Sequence, residues 1–149
     1  MSSFGAVLSA LGEQLGIAGL ALDAQGCCRL VFDGQRMLEL RASGAQRRLV
    51  MSMRVACDGT SGTGGMERVL LQANLWGAGT GGGWFALDEK GQACLQQEVM
   101  LGDDSAAQLL AKMEGMLNGI DLWERRLEGE VSGLLTADAM AMARASQRV

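Results

Sequence analysis

The feature that most constrains this chain is a change of period. Phe4, Val7, Leu8, Leu11 and Leu15 recur at steps of three and four, the single apolar stripe of an amphipathic helix. Ser2 or Ser3 can cap its start, and Gly16 is a natural stop. From Cys28 the step becomes two. Cys28, Leu30 and Phe32 alternate with Arg29, Val31 and Asp33; Leu38, Leu40 and Ala42 with Met37, Glu39 and Arg41; Leu49, Met51, Met53 and Val55 with Arg48, Val50, Ser52 and Arg54. These runs predict three consecutive antiparallel strands, each with one better-buried face. Asp33-Gly34 is a tight-turn signal between the first two. Val31, Val50 and Met37 fall on the opposite face, where some of them meet solvent unless a partner covers them.

After a glycine loop over residues 58–65, helical spacing returns in Met66, Val69, Leu70 and Ala73. Leu71, Leu75 and Trp76 widen that surface past one stripe, so this helix needs cover on more than one side. A second glycine loop, 77–83, leads to a hairpin of Trp84–Leu87 and Ala93–Val99 across Asp88-Glu89-Lys90-Gly91. Asp103, Asp104 and Ser105 mark a helix start. Its face continues through Leu109, Met113, Met116 or Leu117, Ile120, Trp123 and Leu127 to about Glu128. The expected order is α-β-β-β-α-β-β-α: an α+β domain over 1–128, with helices packed on a twisted antiparallel sheet. Residues 129–149 read as a peripheral tail, weakly helical or disordered. Ala21-Leu22-Asp23-Ala24-Gln25-Gly26 echoes Ala86-Leu87-Asp88-Glu89-Lys90-Gly91, which the needs of a turn explain better than a duplication.

Chemistry finds little footing. The chain has no histidine, the usual acid–base group and metal ligand near neutral pH. Gly77-Ala78-Gly79-Thr80-Gly81-Gly82 formally matches a dinucleotide fingerprint, but it follows a helix and precedes a strand, the reverse of what phosphate binding needs, and it carries no lysine. It reads as a flexible connector. Asp23, Asp33, Asp58 and Asp88 stand at turns, Asp103 and Asp104 at a cap, and Glu124, Glu128 and Glu130 on a solvated face. Cys57 has no histidine to activate it. No catalytic residue, metal site or cofactor is expected. The net charge of −4 disfavours a nucleic-acid or anionic-membrane partner. No N-terminal secretory signal or membrane span is read, and unpaired Cys27, Cys28, Cys57 and Cys94 suit a reducing cytoplasm. Ten methionines offer soft apolar surface, much of it core filler.

The order of elements and several motifs resemble the class I type III secretion chaperones, the CesT or Tir-chaperone-like family. The resemblance runs from about Phe4 to Leu127. It is carried by the Phe4…Leu8…Leu11-Gly12…Leu15-Gly16 helix and by Leu20-Ala21-Leu22-Asp23-Ala24-Gln25-Gly26 running into Cys28-Arg29-Leu30-Val31-Phe32-Asp33. Its most specific piece is Val69-Leu70-Leu71-Gln72-Ala73-Asn74-Leu75, then a glycine loop and Trp84-Phe85-Ala86-Leu87-Asp88; Trp123 fits as well. The resemblance implies a cytoplasmic homodimer without enzymatic activity or cofactor. It implies binding of the extended N-terminal region of a secreted effector, and delivery to the export ATPase. The 129–149 extension has no clear family counterpart, and the glycine loops are longer than expected.

Two surfaces follow as expectations. Val69, Leu71, Leu75, Trp76 and Trp84 should meet a symmetry mate, making a homodimer through the second helix. Phe4, Val7, Leu8, Val31, Phe32, Met37 and Leu38 should line effector-binding pockets between the first helix and the first sheet, where an extended peptide adds to an exposed strand edge. The competing readings are a small-ligand or regulatory α+β domain using the glycine loops for a nucleotide, and a structural subunit of a secretion apparatus.

Overall fold

A computed structural model describes residues 3–43, 45, 47–56, 65–77 and 79–146, with side chains described up to Leu127. Helix α1 (Phe4–Leu15) begins where the Ser3 hydroxyl accepts the Ala6 N–H at 3.1 Å. It ends at Gly16, whose left-handed backbone (φ 70) turns the chain away from the helix. Strands β1 (Cys27–Phe32), β2 (Arg36–Ser43) and β3 (Arg48–Arg54) follow, then α2 (Gly65–Asn74) with a single-turn helix at Leu75–Gly77. Strands β4 (Trp84–Leu87) and β5 (Ala93–Met100) form the second hairpin, and α3 spans Ser105–Ser146. The expected α+β order holds. One antiparallel sheet runs β1-β2-β3-β5-β4, so β1 and β4 are its two edges.

The period-two runs act as their spacing requires. Leu30, Leu38, Leu40, Leu49, Met51, Met53, Phe85, Leu95 and Val99 point to one face and are buried against α1, α2 and α3. On α3 the buried stripe is Leu109, Met113, Met116, Ile120, Trp123 and Leu127, at steps of four and three. Each such side chain contributes about 1.5–3 kcal/mol on burial. Phe85 meets Trp123 edge-on, centroids 4.8 Å apart, and the Arg126 guanidinium covers the same indole at 4.8 Å.

The paired Ala-Leu-Asp…Gly segments fold alike. The Asp23 carboxylate accepts the Gln25 and Cys27 N–H groups at 2.8 and 3.0 Å, and Asp88 accepts those of Lys90 and Gln92 at 2.9 and 2.8 Å. Gly26 and Gly91, three residues on, share a φ of 76. Turn chemistry accounts for the echo, because a carboxylate that caps two amides needs glycine at that left-handed position. The Cys27 and Gln25 amides hold the Asp23 carboxyl below its usual range.

Three expectations need revision. The loop after Leu75 is no flexible connector: buried Thr80 bonds its hydroxyl to the carbonyls of Gly77 and Gly83, and Gln97 donates to the Thr80 carbonyl. A buried threonine satisfied by backbone oxygens closes the turn onto β5. Glu124 is not on a solvated face. It receives both terminal nitrogens of Arg36, at 2.9 and 3.0 Å, and the Ala56 N–H at 2.9 Å. Lastly, α3 does not end near Glu128 but continues as one helix to Ser146, in an alanine-rich stretch with no proline to stop it. The boundary at 128 therefore coincides with no break in the helix. Cys57, Asp58 and the first glycine loop lie outside the described residues.

Candidate functional site

The two edges of the sheet are built differently. On β4, Phe85 turns its backbone N–H and C=O away from β5, toward the open side. Asn74, the last residue of α2, meets both: its carboxamide oxygen accepts the Phe85 N–H at 2.7 Å and its nitrogen donates to the Phe85 carbonyl at 3.0 Å. One side chain thus replaces a neighbouring strand. The "Ala-Asn" motif is the means by which α2 covers the edge at Phe85, while the outward groups of Leu87, at the end of the strand, take no bond from it.

On β1 the register with β2 decides which groups are free. Ala42 donates its N–H to Gly26 at 2.9 Å, and Cys28, Leu30 and Phe32 follow Gly26 in the bonded phase. Cys27, Arg29 and Val31 therefore aim their backbone groups outward. Asp23 satisfies Cys27, by side chain and by backbone. Among the described residues, nothing pairs with the outward N–H and C=O of Arg29 and Val31. This edge is open.

Beside it lies exposed apolar surface. Val31 is 63% exposed and its cross-strand neighbour Met37 is 47% exposed. Both sit on the outer sheet face, where Glu39 holds Arg29 and Arg41 at 3.1 and 2.8 Å. A shallow cavity of about 340 Å³ on that face is lined by Met37, Val50, Ser52, Arg54 and Cys94, among others. Trp84 belongs there too: its indole N–H donates to Gln96 at 2.7 Å, and Gln96 donates to Ser52. Burial raises the thiols of Cys28 and Cys94 above the ordinary cysteine value, the wrong direction for nucleophiles.

The structure splits the pocket set expected from sequence. Val7, Leu8 and Leu38 are buried in the core, Phe4 and Phe32 are half-buried against it, and Val31 and Met37 lie on the opposite face. These residues do not line one pocket. The expected dimer set divides as well. Leu71, Leu75 and Trp76 are 71%, 63% and 90% exposed on α2 and its terminal turn. Val69 is buried within the chain, and Trp84 faces the outer side of the sheet. Trp76 also holds a left-handed backbone (φ 60), which a bulky residue adopts at a cost of about 1–2 kcal/mol. Sequence reading missed Leu87, exposed at the end of β4, and Glu67, which with Leu70, Leu71 and Phe85 lines a groove of about 300 Å³ between α2 and β4. The breadth of the apolar surface on α2 was the available signal for that groove.

Comparison with known proteins decides the family. The sequence model of the Tir chaperone protein (CesT) family matches residues 6–124, from α1 into α3. The chain belongs to that family. Its members are chaperones, and the fold recurs in solved structures. A chain of the HopA1–SchA chaperone–effector complex is 23% identical, with 80% of this chain and 91% of that one covered and a TM-score of 0.68. For a chain of the ExsC–ExsE complex the values are 24%, 81%, 90% and 0.71. For the structure of the Yersinia pestis type III secretion chaperone SycH with a fragment of YscM2 they are 18%, 80%, 98% and 0.63. Comparison with curated proteins returned no match. Residues 125–149 lie beyond the family match. Among the described residues no helix is long and apolar enough to cross a membrane, and no group of three or more acidic or thiol side chains could hold a metal ion.

Proposed function

We propose that this chain is a cytoplasmic type III secretion chaperone that binds the N-terminal region of an effector in extended form and keeps it competent for export. The observation that carries the reading is the open edge of β1 in a chain of this family. An extended peptide laid along that edge would bond to the outward groups of Arg29 and Val31, as a sixth strand. Its side chains alternate, so one set would fall beside Val31 and Met37 and the other on the side of Leu30 and Phe32. Main-chain pairing tolerates varied sequence, and a methionine surface tolerates varied shape. Ordering a disordered client costs about 2–5 kcal/mol, so a large surface must be engaged. We further propose a homodimer in which α2, with Leu71, Leu75 and Trp76, supplies the contact, and handover of the loaded complex to the export ATPase.

The HopA1–SchA chaperone–effector complex and the complex of the type III secretion chaperone SycH with a fragment of YscM2 support this reading by analogy of fold. The test is co-expression with an effector encoded beside this chain, comparing wild type with Met37→Glu. Co-purification that needs the effector's N-terminal region and weakens about tenfold in the variant is the expected result; a negative charge on the floor of an apolar contact costs about 1–3 kcal/mol. Binding that ignores both changes would overturn the reading. Val7→Asp is unsuitable as a probe, because Val7 is part of the core.

A further inference from the structure

We infer that the open edge of β1 selects its client by charge as well as by main chain: the client strand sets an acidic residue opposite Arg29, two positions from the apolar residue it sets opposite Val31. The inference rests on the client-strand reading above and names the side-chain pair that fixes the client's register.

Strand geometry decides which side chains meet. Arg29 and Val31 aim their backbone groups off the sheet, and both side chains are exposed on its outer face. A strand added there pairs residue for residue. The client side chains opposite Arg29 and Val31 therefore share that outer face and stand two positions apart in the client. The client residue between them falls on the inner side, toward buried Leu30.

The two positions offer different chemistry. Val31 and its cross-strand neighbour Met37 are both apolar. Arg29 donates its Nε to Glu39 at 3.1 Å, and among the described residues its terminal nitrogens hold no partner. Glu39 has little left to give, since its other oxygen accepts Nε and Nη2 of Arg41 at 3.2 and 2.8 Å. Asp23, the other acid near these arginines, is held by the amides of Gln25 and Cys27. A guanidinium with unspent donors thus stands on the edge strand itself, where a carboxylate on the next strand makes a charge-assisted cross-strand pair.

The alternatives fit worse. A basic residue opposite Arg29 meets two arginines that share one glutamate. An apolar one strips water from donors that have no other acceptor. The whole chain, at a net charge of −4, attracts basic segments at long range, so the edge reverses that preference at a single position.

Charge reversal tests the pair on the full-length chain, with the effector's N-terminal segment as probe, calorimetric titration as the readout and circular dichroism as the folding control. Arg29→Glu should weaken binding about fivefold, and by less at high salt because the pair is exposed. When each acid of the segment is exchanged for lysine in turn, one exchange should weaken binding to the wild-type chain and recover most of the loss in Arg29→Glu. That acid should stand two residues from an apolar one. Arg54→Glu makes the same change of net charge on the same face, but on β3, two strands from β1; it should leave the affinity within about twofold of wild type, because charge so far away is screened. Wild-type affinity in Arg29→Glu, a scan in which no position recovers it, or an equal loss in Arg54→Glu overturns the pair and leaves the client strand standing. A wild-type chain without affinity for the segment overturns the client reading itself, and the pair with it.

Discussion

β1 and β4 face the same difficulty, a row of backbone groups with no neighbouring strand, and meet it in opposite ways. At β4 the last residue of α2 folds its carboxamide over Phe85, the central outward-facing residue, and leaves only Leu87 at the strand's exposed end. At β1 only Cys27 is capped, by Asp23, while Arg29 and Val31 keep their donors and acceptors free. The difference teaches that one edge offers backbone groups and the other mainly side chains, which is what the proposed client and dimer contacts would each use. A client of varied sequence suits the first, because every residue carries the same main chain. A partner of fixed shape, such as the proposed second copy, suits the second, because Leu71 and Leu75 offer side chains there rather than free backbone.

The comparison breaks most completely at Asn74. Asn74→Ala leaves the Phe85 N–H and C=O without partners, and two half-buried backbone groups losing theirs should cost about 2–4 kcal/mol in denaturant unfolding. It should also make the chain prone to edge-to-edge association, since β4 then resembles β1. A variant as stable as wild type would show that the carboxamide does not seal the edge.

Glu124 tests the other side. Its grip on Arg36 ties the β1–β2 hairpin to α3, and its bond to Ala56 ties the end of β3 to the same helix. The hydrogen bonds from Arg36 hold the Glu124 carboxyl below the ordinary glutamate value of 4.5. Because the folded group titrates below the unfolded one, its contribution is complete above about pH 4.5 and fades as the pH falls through the lower folded value. Glu124→Gln should cost about 1.5–3 kcal/mol at neutral pH and flatten that acid limb. An unchanged pH profile in the variant would locate the acid sensitivity elsewhere.

The smallest effect sharpens the contrast. Val31→Pro removes an N–H that bonds to nothing in the free chain, so an edge strand should tolerate it at about 1 kcal/mol or less. It should nonetheless weaken client binding about tenfold, by removing one backbone donor and crowding the incoming strand. Binding at wild-type affinity would move the client off this edge.

How much of this is legible in the sequence depends on whether the determining contact is local. The strand alternation at Leu38, Leu40, Leu49 and Met51 repeats every second residue, so the core face can be read directly. The same alternation separates Val31 and Met37 from Leu38, and a strict use of it divides the expected pocket on sequence grounds alone. Leu71, Leu75 and Trp76 are legible as excess apolar surface because one helix cannot bury its whole circumference. The role of Asn74 is not, since a motif gives a residue type and not the strand edge it reaches. Nor is the bond between Arg36 and Glu124, which joins a hairpin to a distant helix. The closed turn around Thr80 is hidden because glycines signal freedom in a sequence, while buried hydrogen bonds can remove it.

Amide hydrogen exchange of Arg29, Val31 and Phe85, with and without the effector's N-terminal segment, tests the central contrast most directly. In the free chain the Phe85 amide should exchange slowly and those of Arg29 and Val31 rapidly; with the segment bound, Arg29 and Val31 should become protected while Phe85 stays as it was. Arg29 and Val31 already protected in the free chain, or unchanged once the segment is bound, would contradict the account.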